Sequence, residues 1–339
     1  MYNAKRYIKT AIESVLSQTF SDFELIIVND CSTDDSLKIV EKFSKADKRV
    51  RIISKTVNEG LFHARLTAFE EAGGNYIISL DADDILDFSA LEIIHNIVIK
   101  NPESDIIYFK SKKFKDSNEP MLQHMRYRVN CVDNLIEETY YEGHNLAEYQ
   151  KQLILSHSLN SMWSKTFRRD LLLKHIDLLE SFPRITSGED CIHSLYGSLN
   201  ARQIVFINCT LYYYRVNIES MTHRMNGHEF ESWVTVMEQR EKFISLWHLE
   251  SISLQFLIYQ RKALAKLLVY NPYVVGADSK DKYHNMLGCI LENKRCQELL
   301  KIKGGLSPVW TLPLWAFRKK HFGMLFIAKQ WWGMLRRFI

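Results

Sequence analysis

Glycine and proline are scarce in this 339-residue chain, at 13 and 6 residues, which leaves no room for long flexible linkers. The six cysteines at 31, 131, 191, 209, 289 and 296 form no C-x-x-C pair, so neither a zinc ribbon nor a thioredoxin-like site is indicated. Six scattered cysteines in a chain this long do not form a disulfide framework, and a reducing cytoplasm fits them best. Residues 1–20 lack the continuous apolar core of a signal peptide. No uninterrupted apolar run approaches the ~18 residues of a membrane-spanning helix. The chain also lacks G-x-G-x-x-G, G-x-x-x-x-G-K-[ST] and G-x-S-x-G, so the dinucleotide, P-loop and serine-hydrolase readings lose their main support.

What is present is globular: 46% hydrophobic and 25% charged residues, enough to bury one large or two ordinary cores. Net charge is only +4, but it is unevenly spread. Residues 301–339 carry eight basic residues (Lys301, Lys303, Arg318, Lys319, Lys320, Lys329, Arg336, Arg337) and no Asp or Glu. The rest of the chain is slightly acidic.

The first 110 residues alternate helical and extended patterns. Tyr7, Ile8, Ala11, Ile12, Val15 and Leu16 repeat at helical spacing. Phe23–Val28, Val50–Ile53, Tyr76–Leu80 and Asp105–Phe109 read as strands. Helical segments over residues 37–43, 61–72 and 91–99 separate them, and Gly73-Gly74 supplies a C-cap. Such alternation implies an α/β sheet built of parallel βαβ units. Residues 187–200 read as a helix. Val205–Ile207 and Leu211–Tyr214 read as two short strands, and the chain from about 229 as helical. Ligands of open α/β sheets bind beyond the carboxyl ends of strands, so Asp30, Asp81 and Asp83 are expected on one rim.

Asp81-Ala82-Asp83-Asp84 is the strongest local signal. Three carboxylates in four residues repel one another, and a divalent cation on a diphosphate relieves that repulsion; hard oxygens suit Mg²⁺ or Mn²⁺. The alternative is a solvated acidic turn. Asn29-Asp30-Cys31-Ser32-Thr33-Asp34 offers a carboxylate for base N–H or ribose hydroxyls, or else a turn that caps the next helix. Asn58-Glu59-Gly60 followed by Ala64-Arg65 permits close backbone approach and a phosphate- or base-contacting guanidinium, or only a helix start with a surface arginine. Ser187-Gly188-Glu189-Asp190 places two carboxylates at a helix N-terminus, where one can serve as general base or both can simply favour the helix dipole. Tyr212-Tyr213-Tyr214-Arg215 packs a strand, while Arg215, Ser220 or His223 could line a diphosphate site, with His223 a candidate metal ligand.

Taken in order, Tyr2-Asn3-Ala4, Ser14 to Phe20, Asn29 to Asp34, Asn58-Glu59-Gly60, Ala64-Arg65, Asp81 to Asp84 and Gly188-Glu189-Asp190 resemble the family two glycosyltransferases over roughly residues 1–225. The segment Trp163–Leu172, read as a helix, is similar to a recurring piece of the capsule and lipooligosaccharide members. The resemblance implies a GT-A fold: a mixed, mainly parallel sheet with helices on both faces, here as a 1–225 catalytic domain with a helical 226–339 extension. It implies inverting transfer from a UDP-sugar to a hydroxyl of a growing bacterial surface glycan, with Mn²⁺ or Mg²⁺. Carried over residue by residue, Tyr2, Asp30, Arg65 and Asp81 contact the nucleotide, Asp83 the metal, and Asp190, with Glu189 beside it, acts as base. The family places a strand before Tyr2-Asn3, which makes a non-catalytic remnant that only binds a glycan or partner the competing expectation.

The aromatic and basic residues of 310–339 suggest an amphipathic helix on the inner face of the cell membrane, or a helix packed on the catalytic domain. No nucleic-acid-binding motif accompanies them.

Overall fold

The computed structural model describes residues 1–115, 136–155, 161–174, 176–186, 188–216, 229–270, 287–302 and 304–325. The chain divides into two compact units, Met1–Ile185 with Glu189–Ile218, and Thr186–Gly188 with Glu219–Ile339.

In the first unit, helix α1 (Ile8–Leu16) buries Ile8, Ala11, Ile12 and Val15, the 3.6-residue stripe expected of it. Strand β1 (Leu25–Asn29) follows, then α2 (Ser36–Ala46), and β2 (Val50–Ser54) returns parallel to β1. Ser36, Asp34 and Asn3 shape the turn between β1 and α2: Asp34 Oδ1 accepts the Ser36 N–H at 2.9 Å, and Asn3 Oδ1 accepts that of Thr33 at 2.8 Å. Helix α3 (Leu61–Glu71) then leads to β3 (Tyr76–Ile78) and the two-residue β4 (Ile85–Leu86). Helix α4 (Ala90–Lys100) buries Ile93, Ile94 and Ile97 and feeds β5 (Ile106–Phe114). Beyond it come β6 (Glu138–Glu142), α5 (Gly143–Ile154), β7 (Lys165–Arg168), the short α6 (Arg169–Leu173) and α7 (Ile176–Glu180), α8 (Glu189–Asn200) and β8 (Gln203–Arg215).

The strands form two sheets among the described residues. One is the β1–β2 pair, and the other runs β3-β7-β5-β8-β4, with β6 also on β8. Two pairings are parallel, β1 with β2 and β5 with β8; four are antiparallel. The parallel share is therefore smaller than helix–strand alternation implies, because β4, β6 and β7 join the sheet against its grain. Within β1, the Leu25 N–H and the Asn29 carbonyl face β2. Val28 and Asp30 face the opposite edge, where the Met1 carbonyl accepts the Asp30 N–H at 2.9 Å and the Met1 ammonium donates to the Val28 carbonyl. α1 serves both sheets: Ile8 and Ile12 pack with Ile27, Val40 and Val50, whereas Val15 packs with Leu86, Ile94, Val205 and Tyr212.

Two sequence readings change here. Trp163–Leu172 is not one helix: Lys165–Arg168 is a strand gripped by β3 and β5, and the helix begins only at Arg169. Val205–Ile207 and Leu211–Tyr214 are one strand, because Asn208 between them is tied to Glu137 through both backbone and side chain. Cys209 on that strand is disulfide-bonded, whereas Cys31, Cys191, Cys289 and Cys296 form no disulfide.

α8 packs on β7 and α6 at very short range. A Cβ on Gly197 would stand 2.7 Å from the Phe167 ring and 3.3 Å from Leu172, both fully buried. Gly197→Ala is therefore expected to lower stability by about 1–3 kcal/mol through overpacking, despite its better helix propensity. Urea unfolding checks this, and an unchanged or higher midpoint would contradict that close approach.

The second unit is helical. α9 (Glu229–Leu246), α10 (Ser253–Tyr270), α11 (Lys294–Lys301) and α12 (Pro308–Arg318) enclose a core that includes Phe230, Val234, Leu264, Leu268, Leu299, Leu314 and Phe317. Asn293 caps α11 by accepting the Cys296 N–H at 3.2 Å, and Pro308 opens α12. No described helix is long and apolar enough to cross a membrane.

Candidate active site

Asp30 beyond β1 and Asp81 beyond β3 both lie near the Met1 ammonium, and α8 brings Glu189 and Asp190 to the Arg65 that pairs with Asp81. Asp30 follows β1 and is buried. Its Oδ1 accepts the Glu59 N–H at 2.9 Å and its Oδ2 the Gly60 N–H at 2.8 Å, while Asn58 Nδ2 donates to its carbonyl at 3.0 Å. Asp30 thus fixes the 58–60 turn, and each carboxylate oxygen keeps a further acceptor direction. Gly60 sits at φ +89°, a conformation that favours glycine, and starts α3. Tyr2 is exposed and adjoins Asn3, which is tied to Ser32 and Thr33 in the turn between β1 and α2.

The acidic turn after β3 divides its labour. Asp84 is buried and turned toward β8, accepting the Tyr212 hydroxyl at 2.7 Å and the Arg215 N–H at 2.7 Å. Burial, with the nearby Asp81 charge, pushes its carboxyl up to about 8. Asp87 likewise accepts from Tyr213 and Ser89. Arg215, a candidate for the diphosphate, is instead buried: its Nε donates to the Asp83 carbonyl at 2.7 Å and its guanidinium lies over the rings of Tyr7 and Phe114. Asp84, Asp87, Tyr212 and Arg215 therefore hold the turn, while Asp81 reaches Arg65 and the Asp83 charge lies near Asp81. Ser220 and His223 lie outside the described residues.

Arg65 joins the two halves of the site. Only 6% exposed, it gives Nη2 to Asp81 Oδ1 at 2.9 Å and Nη1 to Asp190 Oδ1, with Glu189 Oε1 3.8 Å away. α3 carries Arg65 and α8 carries both acids at its N-terminus, after Gly188 at φ +83°. The position of the acids favours them through the helix dipole. Burial, then the Asp190 charge, pushes Glu189 up to about 7. Burial also raises Asp81, and Arg65 pulls it back. The acids hold Arg65 firmly protonated.

One guanidinium faces Asp81, Glu189 and Asp190, with Asp83 close enough to raise Asp81. The surplus of negative charge suits a divalent cation. Among the described residues, however, no three His, Cys, Asp or Glu side chains are arranged to hold an ion. Mg²⁺-like ions often use one or two carboxylates plus substrate phosphates, so Asp81 and Asp83 fit a metal that arrives with a diphosphate rather than a preformed cage.

Lys165, part of the Trp163–Leu172 segment that resembles capsule and lipooligosaccharide members, had no expected role at the site. It is fully buried on β7, donates to the Ser161 carbonyl and lies 4.6 Å from the Tyr108 ring. Burial pulls its ammonium down to about 7, while Asp190 opposes that shift. Beyond that resemblance, its sequence signal was a lysine in an otherwise core-forming segment.

Over 98% of its length the chain is similar in structure to S. aureus TarS 1-349 in complex with UDP-GlcNAc. It covers 90% of that chain with a TM-score of 0.63 at 21% identity. The fold is therefore that of the GT-A glycosyltransferases. The chain belongs to glycosyl transferase family 2, whose profile matches residues 1–172. It is 29% identical over 248 residues to the putative glycosyltransferase EpsH of Bacillus subtilis, an alignment covering 72% of this chain and 67% of EpsH. It is 26% identical over 242 residues to the glycosyltransferase GlyA of Streptococcus pneumoniae, covering 71% of this chain but one third of GlyA. A shorter stretch of 83 residues is 42% identical to the putative teichuronic acid biosynthesis glycosyltransferase TuaG of B. subtilis, covering 24% of this chain and 33% of TuaG.

Proposed function

We propose that this glycosyltransferase moves a sugar, with inversion, from a UDP-sugar to a hydroxyl of a growing bacterial surface glycan. The observation that carries the reading is the Asp81–Arg65–Asp190 chain, which ties the carboxylate turn after β3 to a carboxylate on a separate helix. The teichuronic acid named for TuaG supports the acceptor class, and UDP-GlcNAc on TarS supports the donor class. The catalytic domain in this reading is 1–225, with 226–339 as a helical extension.

In the reaction, the acceptor hydroxyl attacks the anomeric carbon from the face opposite the leaving UDP. A carbon–oxygen bond forms there as the bond to the diphosphate breaks. Asp190 takes the hydroxyl proton, for which its pair with Arg65 opens, and the guanidinium is then placed to meet the anionic donor. Glu189 beside it adds a second carboxyl to the same cluster. Asp30 acts by holding the 58–60 turn against the base, and Asp81 faces the ribose side. Asp83, with His223 as a further candidate ligand, would hold Mn²⁺ or Mg²⁺, which supplies charge neutralisation on the diphosphate. No covalent intermediate is required.

The test is UDP release from a panel of UDP-sugars in the presence of surface-glycan fragments, with the anomeric configuration of the product read by NMR. Turnover giving the opposite configuration to the donor supports the reading; retention of configuration overturns the single displacement. A chain that binds glycan but releases no UDP from any donor would be the non-catalytic remnant. Asp83→Asn is expected to weaken UDP binding about tenfold or more in Mn²⁺ and hardly at all in EDTA. Calorimetry in the two buffers checks this, and equal loss in both would remove Asp83 from the metal.

A further inference from the structure

α12 presents an apolar face that its own core does not use. Leu314, Ala316 and Phe317 turn inward and are buried. Val309, Leu312 and Trp315 instead stand 65%, 56% and 45% exposed. They are three residues apart, so at about 100° per residue they share one side of the helix. Exposed apolar residues scattered singly mean little, but three bulky ones in a row on one helix form a patch.

The charge that follows the patch along the chain has one sign. Arg318, Lys319 and Lys320 follow at the C-terminal end of α12, all exposed. Lys319 lies one turn beyond Trp315, to whose carbonyl its N–H donates at 3.0 Å. His321 packs against the Trp315 ring with centroids 5.3 Å apart. Residues 301–339 contain no acidic side chain at all. A protein partner is ordinarily met by mixed charges; an apolar stripe with a tryptophan, followed directly by three exposed cations, matches the two layers of an anionic bilayer surface. The aliphatic and indole groups enter the acyl boundary and the cations meet lipid phosphates.

We propose that the Val309–Leu312–Trp315 face of α12, with Arg318, Lys319 and Lys320, docks the protein on an anionic lipid surface. This places the contact on α12 itself rather than on the aromatic–basic stretch of 322–338, most of which lies outside the described residues. It stands on the second unit alone and does not depend on the transferase reading.

The experiment is co-sedimentation of the full chain with vesicles of phosphatidylcholine alone or with added phosphatidylglycerol. Binding is expected only to the anionic vesicles and should weaken as salt is raised. R318Q/K319Q/K320Q should lower partitioning roughly a hundredfold, taking each cation at its usual worth near a membrane. L312E/W315E should lower it by about tenfold or more. Both sets are surface changes, and circular dichroism melting confirms that the variants fold. Parent-like partitioning of the folded variants, or equal binding to neutral vesicles, would overturn the proposal, as would no binding at all. UDP binding is measured on the same samples without vesicles. Its absence would count against the nucleotide site and leave the membrane result standing.

Discussion

Asp190→Asn should lower the rate of transfer by about 10²–10⁴-fold while leaving UDP affinity within a few-fold of the parent. The amide has nearly the shape of the carboxylate but cannot take the acceptor's proton at neutral pH. Asp30 and Asp81, which this account places on the nucleotide side, remain untouched. The Arg65 guanidinium loses one of its two close carboxylates and keeps Asp81 at 2.9 Å. The loss should therefore fall on kcat, with little change in KM for the donor. A rate unchanged by the substitution would move the base elsewhere. Glu189, which burial holds near the pH of the reaction, would be the next group to remove.

Arg65→Met should destabilise the first unit by roughly 3–5 kcal/mol at neutral pH, because a buried cluster loses its cation. The effect has a direction in pH. Asp81 and Glu189 already titrate above their ordinary values through burial, and Arg65 opposes that shift. Without Arg65 their folded pKa values rise further above those of the unfolded chain. Below about pH 4 both states carry neutral carboxyls and the added penalty vanishes. As pH rises from there the unfolded chain releases these protons while the folded site keeps them, so stability falls until the folded pKa values are passed and then levels off. Urea unfolding at acid and at mildly alkaline pH measures this. A penalty equal at both would mean that Arg65 contributes packing only.

Much of this was legible in the sequence, for identifiable reasons. β1 carries an unbroken apolar run, β2 one interrupted only by Arg51, and α1 clean helical spacing, so their positions followed from local pattern. The acidic turn after β3 was visible as three carboxylates in four residues. What local pattern could not show was how those carboxylates are shared out. Asp84 belongs to β8 through Tyr212 and Arg215, partners more than a hundred residues away. Arg65 meets Asp190 across 125 residues, a contact that only the packing of α3 against α8 creates. β7 was hidden for a different reason. Lys165-Thr166-Phe167-Arg168 has no alternation, runs straight into the leucines of α6, and is a strand because β3 and β5 close on it from both sides. The same tertiary grip carries β8 through Asn208-Cys209-Thr210, which reads locally as a turn.

The most direct test of the nucleotide site is thermal stability of the purified chain with Mn²⁺ plus UDP, against Mn²⁺ plus GDP or ADP. A ligand that binds only the folded state raises stability by mass action, by about 2.7 kcal/mol at a hundredfold excess over Kd. The account predicts a rise for UDP that exceeds those for GDP and ADP, disappears in EDTA and is reduced in Asp83→Asn. No rise for any nucleotide in a folded sample, or equal rises for all three, would contradict it.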